Sequence, residues 1–385
     1  MLYRKLGRTG CEVSVLGLGC MRLPIVGGTS AVDLFDPNKP IDDPAATEMI
    51  EHAVEHGINY FDTAYPYHGG QSEVFLGRKL KPYRERVFLA TKLPTWLVQG
   101  KHDFERFLGE QLRRLKTDYI DFYLLHGLNR QLWAKMRELG ALDFLNQISA
   151  DGKIRHTGFS FHDDVKIFRD IVDSYDWGMC LIQYNYFDEG YQAGREGLEY
   201  AASRGLGVVV MEPLRGGRLT DRIPEEIQQI WNSAPVKRTP AEWALRWVWN
   251  HKEVSTVLSG MSSMAQLVEN IRVAKEATPG TMLEPELQSV AKVCEAYRRM
   301  LRIGCTGCAY CVPCPNGVDI PLNFSLYNDT FMFKDEDISV MVYNHFMSPE
   351  QRASSCAECG ECEEHCPQQI KIRDELKKVH LKLGQ

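Results

Sequence analysis

Between Glu12 and Lys275 the chain alternates short apolar runs with amphipathic stretches. The apolar runs are Val13–Gly19, Ile58–Ala64, Arg86–Leu93, Tyr119–Gly127, Ile154–Phe161, Met179–Phe187, Leu206–Pro213 and Val254–Met261. They are rich in β-branched and aromatic residues and nearly continuous rather than alternating, the pattern of parallel strands covered on both faces. Apolar residues at helical spacing predict helices over Ala45–Glu55, Phe104–Leu115, Val165–Ser174, Glu196–Ser203, Ala241–Trp249 and Met264–Ala274. Eight strand–helix units in about 265 residues predict an α/β fold of the (β/α)8 TIM-barrel type. A doubly wound open sheet is the competing layout, but no G-x-G-x-x-G turn follows the first strand, so the barrel is preferred. Ahead of it, Leu2–Lys5 and Cys11–Val13 flank Gly7-Arg8-Thr9-Gly10, which predicts a hairpin across the barrel floor.

After Thr278-Pro279-Gly280 comes one more amphipathic stretch, Pro285–Leu301, and then a change of composition. The expected division is a barrel over 1–280, a connecting helix over 281–303 and a small, mainly helical domain over 304–385. Hydrophobic content of 44% and charged content of 25% suit a globular protein, and the net charge of −6 argues against nucleic acid or an anionic membrane as partner. No stretch approaches the roughly eighteen apolar residues of a membrane span. A thiol-rich chain with no signal peptide at its start reads as cytoplasmic.

Eight of the twelve cysteines fall within residues 305–385, in two runs. Cys356, Cys359, Cys362 and Cys366-Pro367 follow the C-x2-C-x2-C-x3-C-P order of bacterial cluster-binding ferredoxins. Cys305, Cys308, Cys311 and Cys314-Pro315 repeat it with one residue missing before the last cysteine. Four plus four thiolates is the count that two [4Fe–4S] clusters require. Paired runs commonly share ligands, so Cys314 and Cys366 are each expected to complete the cluster rooted in the other run. Zinc would use two C-x2-C pairs and leave the tight triplets unexplained, and disulfides call for an oxidising compartment. About forty aromatic-rich residues separate the runs, which predicts a helical layout.

Chemistry in such a barrel sits at the C-terminal ends of the strands. There the sequence places Asp62 and Tyr67, Lys92, and His126. A tyrosine hydroxyl is a weak acid at neutral pH unless a nearby cation favours its phenolate. Lys92 can supply that cation, Asp62 can anchor Lys92, and His126 can hydrogen-bond a substrate oxygen.

The chain resembles the aldo-keto reductase superfamily, in a bacterial branch with a ferredoxin-like C-terminal extension. The resemblance covers roughly residues 1–275. It rests on Tyr3-Arg4-Lys5-Leu6-Gly7-Arg8-Thr9-Gly10, FDTAYPYHGGQSEVFLGRKL, LATK, FYLLHG and the QYN at 183–185. It implies that Asp62, Tyr67, Lys92 and His126 form the catalytic tetrad of a carbonyl reductase, with Tyr67 as general acid and a small-molecule aldehyde or ketone as substrate. It also implies an extended nicotinamide dinucleotide, NAD or NADP, lying across the mouth. Ser160 and Gln183 would meet the carboxamide. Pro213, Leu214, Gly216 and Gly217 would form the loop after the seventh strand. Gly260, Ser262, Ser263 and Gln266 would face the phosphates, and Glu269 and Asn270 the adenine.

Three departures from the family pattern stand out: Ser160-Phe161-His162 where asparagine usually follows the serine, Met211-Glu212-Pro213 where many members stack an aromatic, and neutral Gly260, Ser262 and Gln266 at positions often basic. The last leans toward NAD, with Arg215 and Arg218 as the cations that could still favour NADP. The alternative function is an iron–sulfur electron-transfer or redox-sensing subunit whose barrel docks or regulates. Either reading leaves room for an electron-transfer protein partner, since no flavin site is legible to couple hydride to single electrons.

Overall fold

The apolar runs form eight parallel strands: β3 (Leu16–Gly19), β4 (Tyr60–Asp62), β5 (Phe88–Leu93), β6 (Ile120–Leu128), β7 (Ile154–Phe161), β8 (Met179–Gln183), β9 (Gly207–Met211) and β10 (Val254–Ser259). They close into a barrel in chain order, with β10 pairing back onto β3. This computed structural model describes residues 1–28, 39–221, 223–305, 307, 310–334 and 336–384. Two compact units emerge, one of Met1–Gly216 with Thr239–Leu283, the other of Gly217–Arg238 with Glu284–Gln385.

In the first unit, the chain begins with an antiparallel hairpin, β1 (Tyr3–Lys5) and β2 (Glu12–Ser14), paired Tyr3 to Ser14 and Lys5 to Glu12. Leu6 and Val13 of this hairpin pack with Tyr60, Phe122, Met179, Val209 and Leu258 from the strands, so the barrel is a filled core, not a pore. The hairpin turn lies against the start of β9. A Cβ at Gly7, whose φ is +53°, would come 2.2 Å from the Gly207 nitrogen, so that position needs glycine. Arg4 ties the hairpin down by donating to the carbonyls of Trp249, Val254 and Ala277 at 2.7 Å and His251 at 3.2 Å.

The barrel helices are α1 (Asp43–Glu55), α2 (Gln71–Lys79), α3 (His102–Leu115), α4 (Arg130–Glu138), α5 (Ala141–Ala150), α6 (Val165–Asp173) and α7 (Gly194–Ser203). Helix α8 (Glu225–Ser233) belongs to the second unit, and α9 (Pro240–Trp249) and α10 (Met264–Ala274) complete the first. Their starts are marked by side-chain caps: Asp42, Asn129, Asp164, Thr239 and Ser263 each accept a hydrogen bond from the first turn. Burial of Phe104, Phe107, Leu108, Gln111 and Leu115 shows the apolar stripe by which α3 docks on the strands.

The second unit is mainly helical, with α11 (Glu284–Arg299), α12 (Ile320–Met332), α13 (Glu336–Met341), α14 (Glu361–Glu364) and α15 (Ile372–Leu383), as the spacer composition predicts. Its core gathers Ile303, Val318, Ile320, Phe324, Leu326, Tyr343, Ile372, Leu376, Val379 and Leu383, with six of the cysteines packed against it. Residues 217–238, within the span expected for the barrel, cluster here through the packing of α8 on α11. No helix among the described residues is long and apolar enough to cross a membrane.

Candidate active site and cysteine centre

Strand register decides which side chains reach the barrel mouth. Asp62 ends β4, Lys92 lies one residue before the end of β5, and His126 sits near the end of β6. Beyond Asp62 the backbone turns sharply, with Tyr67 N donating to Ala64 O at 3.1 Å, and this turn brings Tyr67 back over the mouth. His68 then takes a left-handed conformation, φ 52°, costly for a non-glycine residue and typical of backbone held for a functional neighbour.

Lys92 is 1% exposed. Its Nζ donates to Asp62 Oδ1 at 2.5 Å and Thr63 O at 2.7 Å, and lies 5.0 Å from the centre of the Tyr67 ring. Burial disfavours the ammonium, but the charges of Asp62 and Tyr67 outweigh it and hold the Lys92 pKa above the ordinary lysine value. For Tyr67 burial dominates and raises its pKa, while Lys92 pulls the other way and Asp62 and Glu212 add to the rise. The resting hydroxyl therefore keeps its proton. His126 is pushed well below its ordinary pKa, first by burial and then by Lys92 and His162, so it is neutral. Its ring meets Tyr67 edge-on at 6.1 Å and Trp96 at 4.9 Å.

A buried network fixes this strand end from behind. Glu73 on α2 accepts from Thr91 Oγ1 and Gln111 Nε2, both at 2.7 Å, and from Arg114 Nη1 at 3.1 Å, while Gln111 also donates to Lys92 O at 3.0 Å. Glu73→Ala would leave the Arg114 guanidinium without its buried partner. It is expected to destabilise the barrel by about 3–5 kcal/mol, which denaturant titration followed by circular dichroism would measure.

The structure brings most of the loop residues to the same end of the barrel. Ser160 Oγ accepts from Gly127 N at 2.7 Å, beside His126. Gln183 Nε2 donates to Asp188 Oδ2 at 2.9 Å. Pro213, Leu214 and Gly216 follow β9, and Gly217 is the first residue of the second unit. After β10, Gly260 leads to Ser262, whose N donates to Gln266 Oε1 at 2.9 Å, and Ser263 caps α10. Glu269 accepts from Thr239 Oγ1 at 2.5 Å, and buried Asn270 donates to Ser259 Oγ at 3.1 Å.

Sequence reading misses three residues here. Arg22, in the loop after β3, donates to Gly216 O at 2.8 Å and lies 3.7 Å from Glu212. Glu212, with φ 54°, presents its carboxylate where it is felt by Tyr67. Asp188 collects Gln183, Asn185 and Arg215, the last at 3.2 Å. A lone arginine in the otherwise apolar stretch Cys20–Val26 is the signal that could have found Arg22.

A dinucleotide suits this surface. His126 Nδ1 and Asp62 Oδ2 are buried with no hydrogen-bond partner among the described residues, so the mouth holds unsatisfied polar groups. The α10 N-terminus offers backbone N–H groups for a phosphate. Side chains at Gly216 or Gly260 would crowd Arg22, approaching it to 2.9 and 3.1 Å.

In the second unit, a cavity of about 280 Å3 is lined by Cys311, Cys314, Cys356, Cys359 and Cys362. A smaller one is lined by Cys305, Cys311 and Cys366; Cys308 lies outside the described residues. Among the described residues, no three His, Cys, Asp or Glu side chains are close enough to hold a single metal ion. Five thiols spread around one cavity fit a polynuclear cluster rather than zinc. Two asparagines of α12 place the cysteine runs. Asn328 Oδ1 accepts from Arg302 N and Ile303 N at 2.9 Å, just ahead of Cys305. Asn323 Oδ1 accepts from Ala353 N at 2.9 Å, just ahead of Cys356.

Residues 16–281 match the family model of the aldo/keto reductase family, and residues 304–370 that of the 4Fe-4S dicluster domain. The chain is 28% identical over 330 residues to L-galactose dehydrogenase of Arabidopsis thaliana, covering 77% of this chain and 95% of that protein. It is 27% identical to the uncharacterized oxidoreductase YqkF of Bacillus subtilis, covering 71% and 91%. Among solved structures it is similar to the holo form of aldo-keto reductase AKR11C1 from Bacillus halodurans, with 29% identity, a TM-score of 0.62 and coverage of 76% of this chain and 96% of that one. Barrel, strand-end side chains and sequence likeness point the same way, and the chain belongs to the aldo/keto reductase family of oxidoreductases and carries a C-terminal 4Fe-4S domain.

Proposed function

We propose that this chain reduces an aldehyde or ketone with a nicotinamide cofactor, and that its second unit binds two [4Fe–4S] clusters. The observation that carries the reductase reading is Lys92, buried between Asp62 and Tyr67 beside a neutral His126. When bound, the nicotinamide supplies the hydride. The substrate oxygen would lie between Tyr67 and His126. Neutral His126 donates a hydrogen bond that orients the carbonyl without adding charge. As negative charge grows on that oxygen, Tyr67 passes its proton to it and the product leaves as an alcohol. Lys92 stabilises the phenolate left behind, and Asp62 keeps Lys92 charged and aimed. Trp96, 41% exposed and next to His126, gives the pocket an apolar wall.

Ser160, Gln183, Pro213, Leu214, Gly216, Gly217, Gly260, Ser262, Gln266, Glu269 and Asn270 would hold the dinucleotide. Arg215 is paired with Asp188 and Arg218 with Asp329, and Gly260, Ser262 and Gln266 are neutral, which favours NAD over NADP. NADH is expected to bind more tightly than NADPH in fluorescence titrations; the reverse order would reject this preference. Cys314 with Cys356, Cys359 and Cys362 would hold one cluster, and Cys366 with Cys305, Cys308 and Cys311 the other. Such clusters supply one-electron transfer, which points to an electron-transfer protein as a partner. NADH and NADPH oxidation by anaerobically purified protein across a panel of carbonyls tests the reading. No turnover with any of them would count against it.

A further inference from the structure

The two cysteine cavities of the second unit differ in what surrounds them. The one lined by Cys314, Cys356, Cys359 and Cys362 faces solvent and polar side chains. Tyr310, Glu361, His365 and Arg373 share its wall, Cys359 is exposed, and Tyr310 is 69% exposed. In the one lined by Cys305 and Cys366, Gln368 is the only polar side chain besides the cysteines among the described residues. Phe324 and Ile372, each 1% exposed, form the rest of that wall with Ile320, Pro321, Pro367 and Ile370. Cys311 borders both cavities.

A cation is fixed on the solvent side. Glu363, next to Cys362, accepts from Arg373 N and Nη2 at 2.9 Å and from Arg373 Nε at 3.1 Å. This grip seats the guanidinium on the turn between Cys359 and Cys362, where a Cβ at Gly360 would come 3.6 Å from Arg373 Cζ and Nη1. One turn further along α15, Lys377 pairs with Glu358 at 2.7 Å, so a second cation lies along the same cysteine run. Each cation offsets the carboxylate that it holds. Glu361 is exposed, so water and salt screen its charge.

Reduction adds one electron to a [4Fe–4S] centre that its thiolates already make anionic. Water and a fixed cation stabilise the added charge, whereas an apolar wall does not. We propose that the two clusters are electrochemically unequal, the centre held by Cys314, Cys356, Cys359 and Cys362 having the higher potential. Arg373 helps to hold it there by offsetting Glu363. An electron from a one-electron donor protein then comes to rest on this centre, the one nearer solvent. This rests on the two-cluster reading of the second unit.

The test is a dithionite titration of the full, anaerobically purified chain, followed by electron paramagnetic resonance, which detects the reduced clusters. Two one-electron steps are expected, at least about 59 mV apart, the equivalent of a tenfold ratio for one electron. At a fixed potential, Arg373→Gln should lower the reduced-to-oxidised ratio of the higher step about tenfold, a midpoint about 59 mV lower. The lower step should move less. Glu363→Gln should shift the higher step upward, and Arg373→Lys should leave it near wild type, all with iron content unchanged. A packing role for the pair would instead move the Arg373→Gln and Glu363→Gln midpoints in the same direction. That result, a larger shift of the lower step, or coincident midpoints in a wild-type chain with about eight irons would overturn the proposal. Should Arg373→Gln lose iron, the wild-type titration and Glu363→Gln still decide. A wild-type chain with about four irons, or with zinc and no sulfide, would refute the two-cluster reading itself, a result distinct from two clusters of equal potential.

Discussion

Replacing Tyr67 by phenylalanine is expected to slow carbonyl reduction roughly 10²–10⁴-fold, the usual contribution of a positioned general acid, while leaving NADH binding intact. The substitution removes one hydroxyl and keeps the ring that packs edge-on to His126 and faces Lys92. The pH profile adds a second check. Burial raises the Tyr67 pKa above its ordinary value, so the proton to be donated is present at neutral pH and is lost only on the alkaline side. Burial lowers that of His126, so the imidazole stays neutral down through mildly acidic pH. Wild-type turnover should accordingly be flat between about pH 6.5 and about pH 10, the ordinary histidine and tyrosine values, and decline above. The Phe variant should lack that alkaline decline. Unchanged turnover, or an alkaline limb that survives the substitution, would remove Tyr67 from the acid's role.

The parts of this protein that sequence reveals are those where one physical rule acts alone. Ile154–Phe161 is a continuous apolar run and is strand β7 over the same residues, and Met264–Ala274 is an amphipathic stretch with a serine cap and is helix α10. Where side chains compete with the ladder, the reading overshoots. The run expected to continue to Phe187 ends at Gln183, because Asn185 Oδ1 takes the backbone N–H groups of Phe187 and Asp188 and turns the chain. The run Val13–Gly19 is divided between β2 and β3 as Ser14 turns its hydroxyl onto Leu16 O and its N–H onto Asn59.

Asp62, Tyr67, Lys92 and His126 are legible because barrel geometry fixes where strand ends point, and the structure brings them together. Arg22 is not: it gains its place from Gly216 and Glu212, far along the chain, and no local spacing encodes that. Asp188 gathers Gln183 and Asn185 from nearby, but its arginine comes from the loop after the next strand. Residues 217–238 show the same limit at the scale of a domain. Their helix is amphipathic, but nothing local says that its apolar face belongs on α11.

Cys314→Ser is expected to halve the iron and sulfide of the anaerobically purified chain, from about eight of each to about four. The cluster lost should be the one rooted in the other cysteine run. Cys314 lines the same cavity as Cys356, Cys359 and Cys362, whereas Cys366 lines the one with Cys305, and Cys311 borders both. The electrostatics agree, since the Cys362 thiol is raised to about 11 by burial, by Glu363 and then by Cys356, Cys314 and Cys359. Double variants separate crossed from local ligation. If ligation is crossed, Cys314→Ser with Cys356→Ser disables one cluster twice and keeps about four irons, while Cys314→Ser with Cys305→Ser disables both and keeps none. If each run holds its own cluster, the two results exchange. Stoichiometric zinc without sulfide in the wild-type chain would reject both schemes.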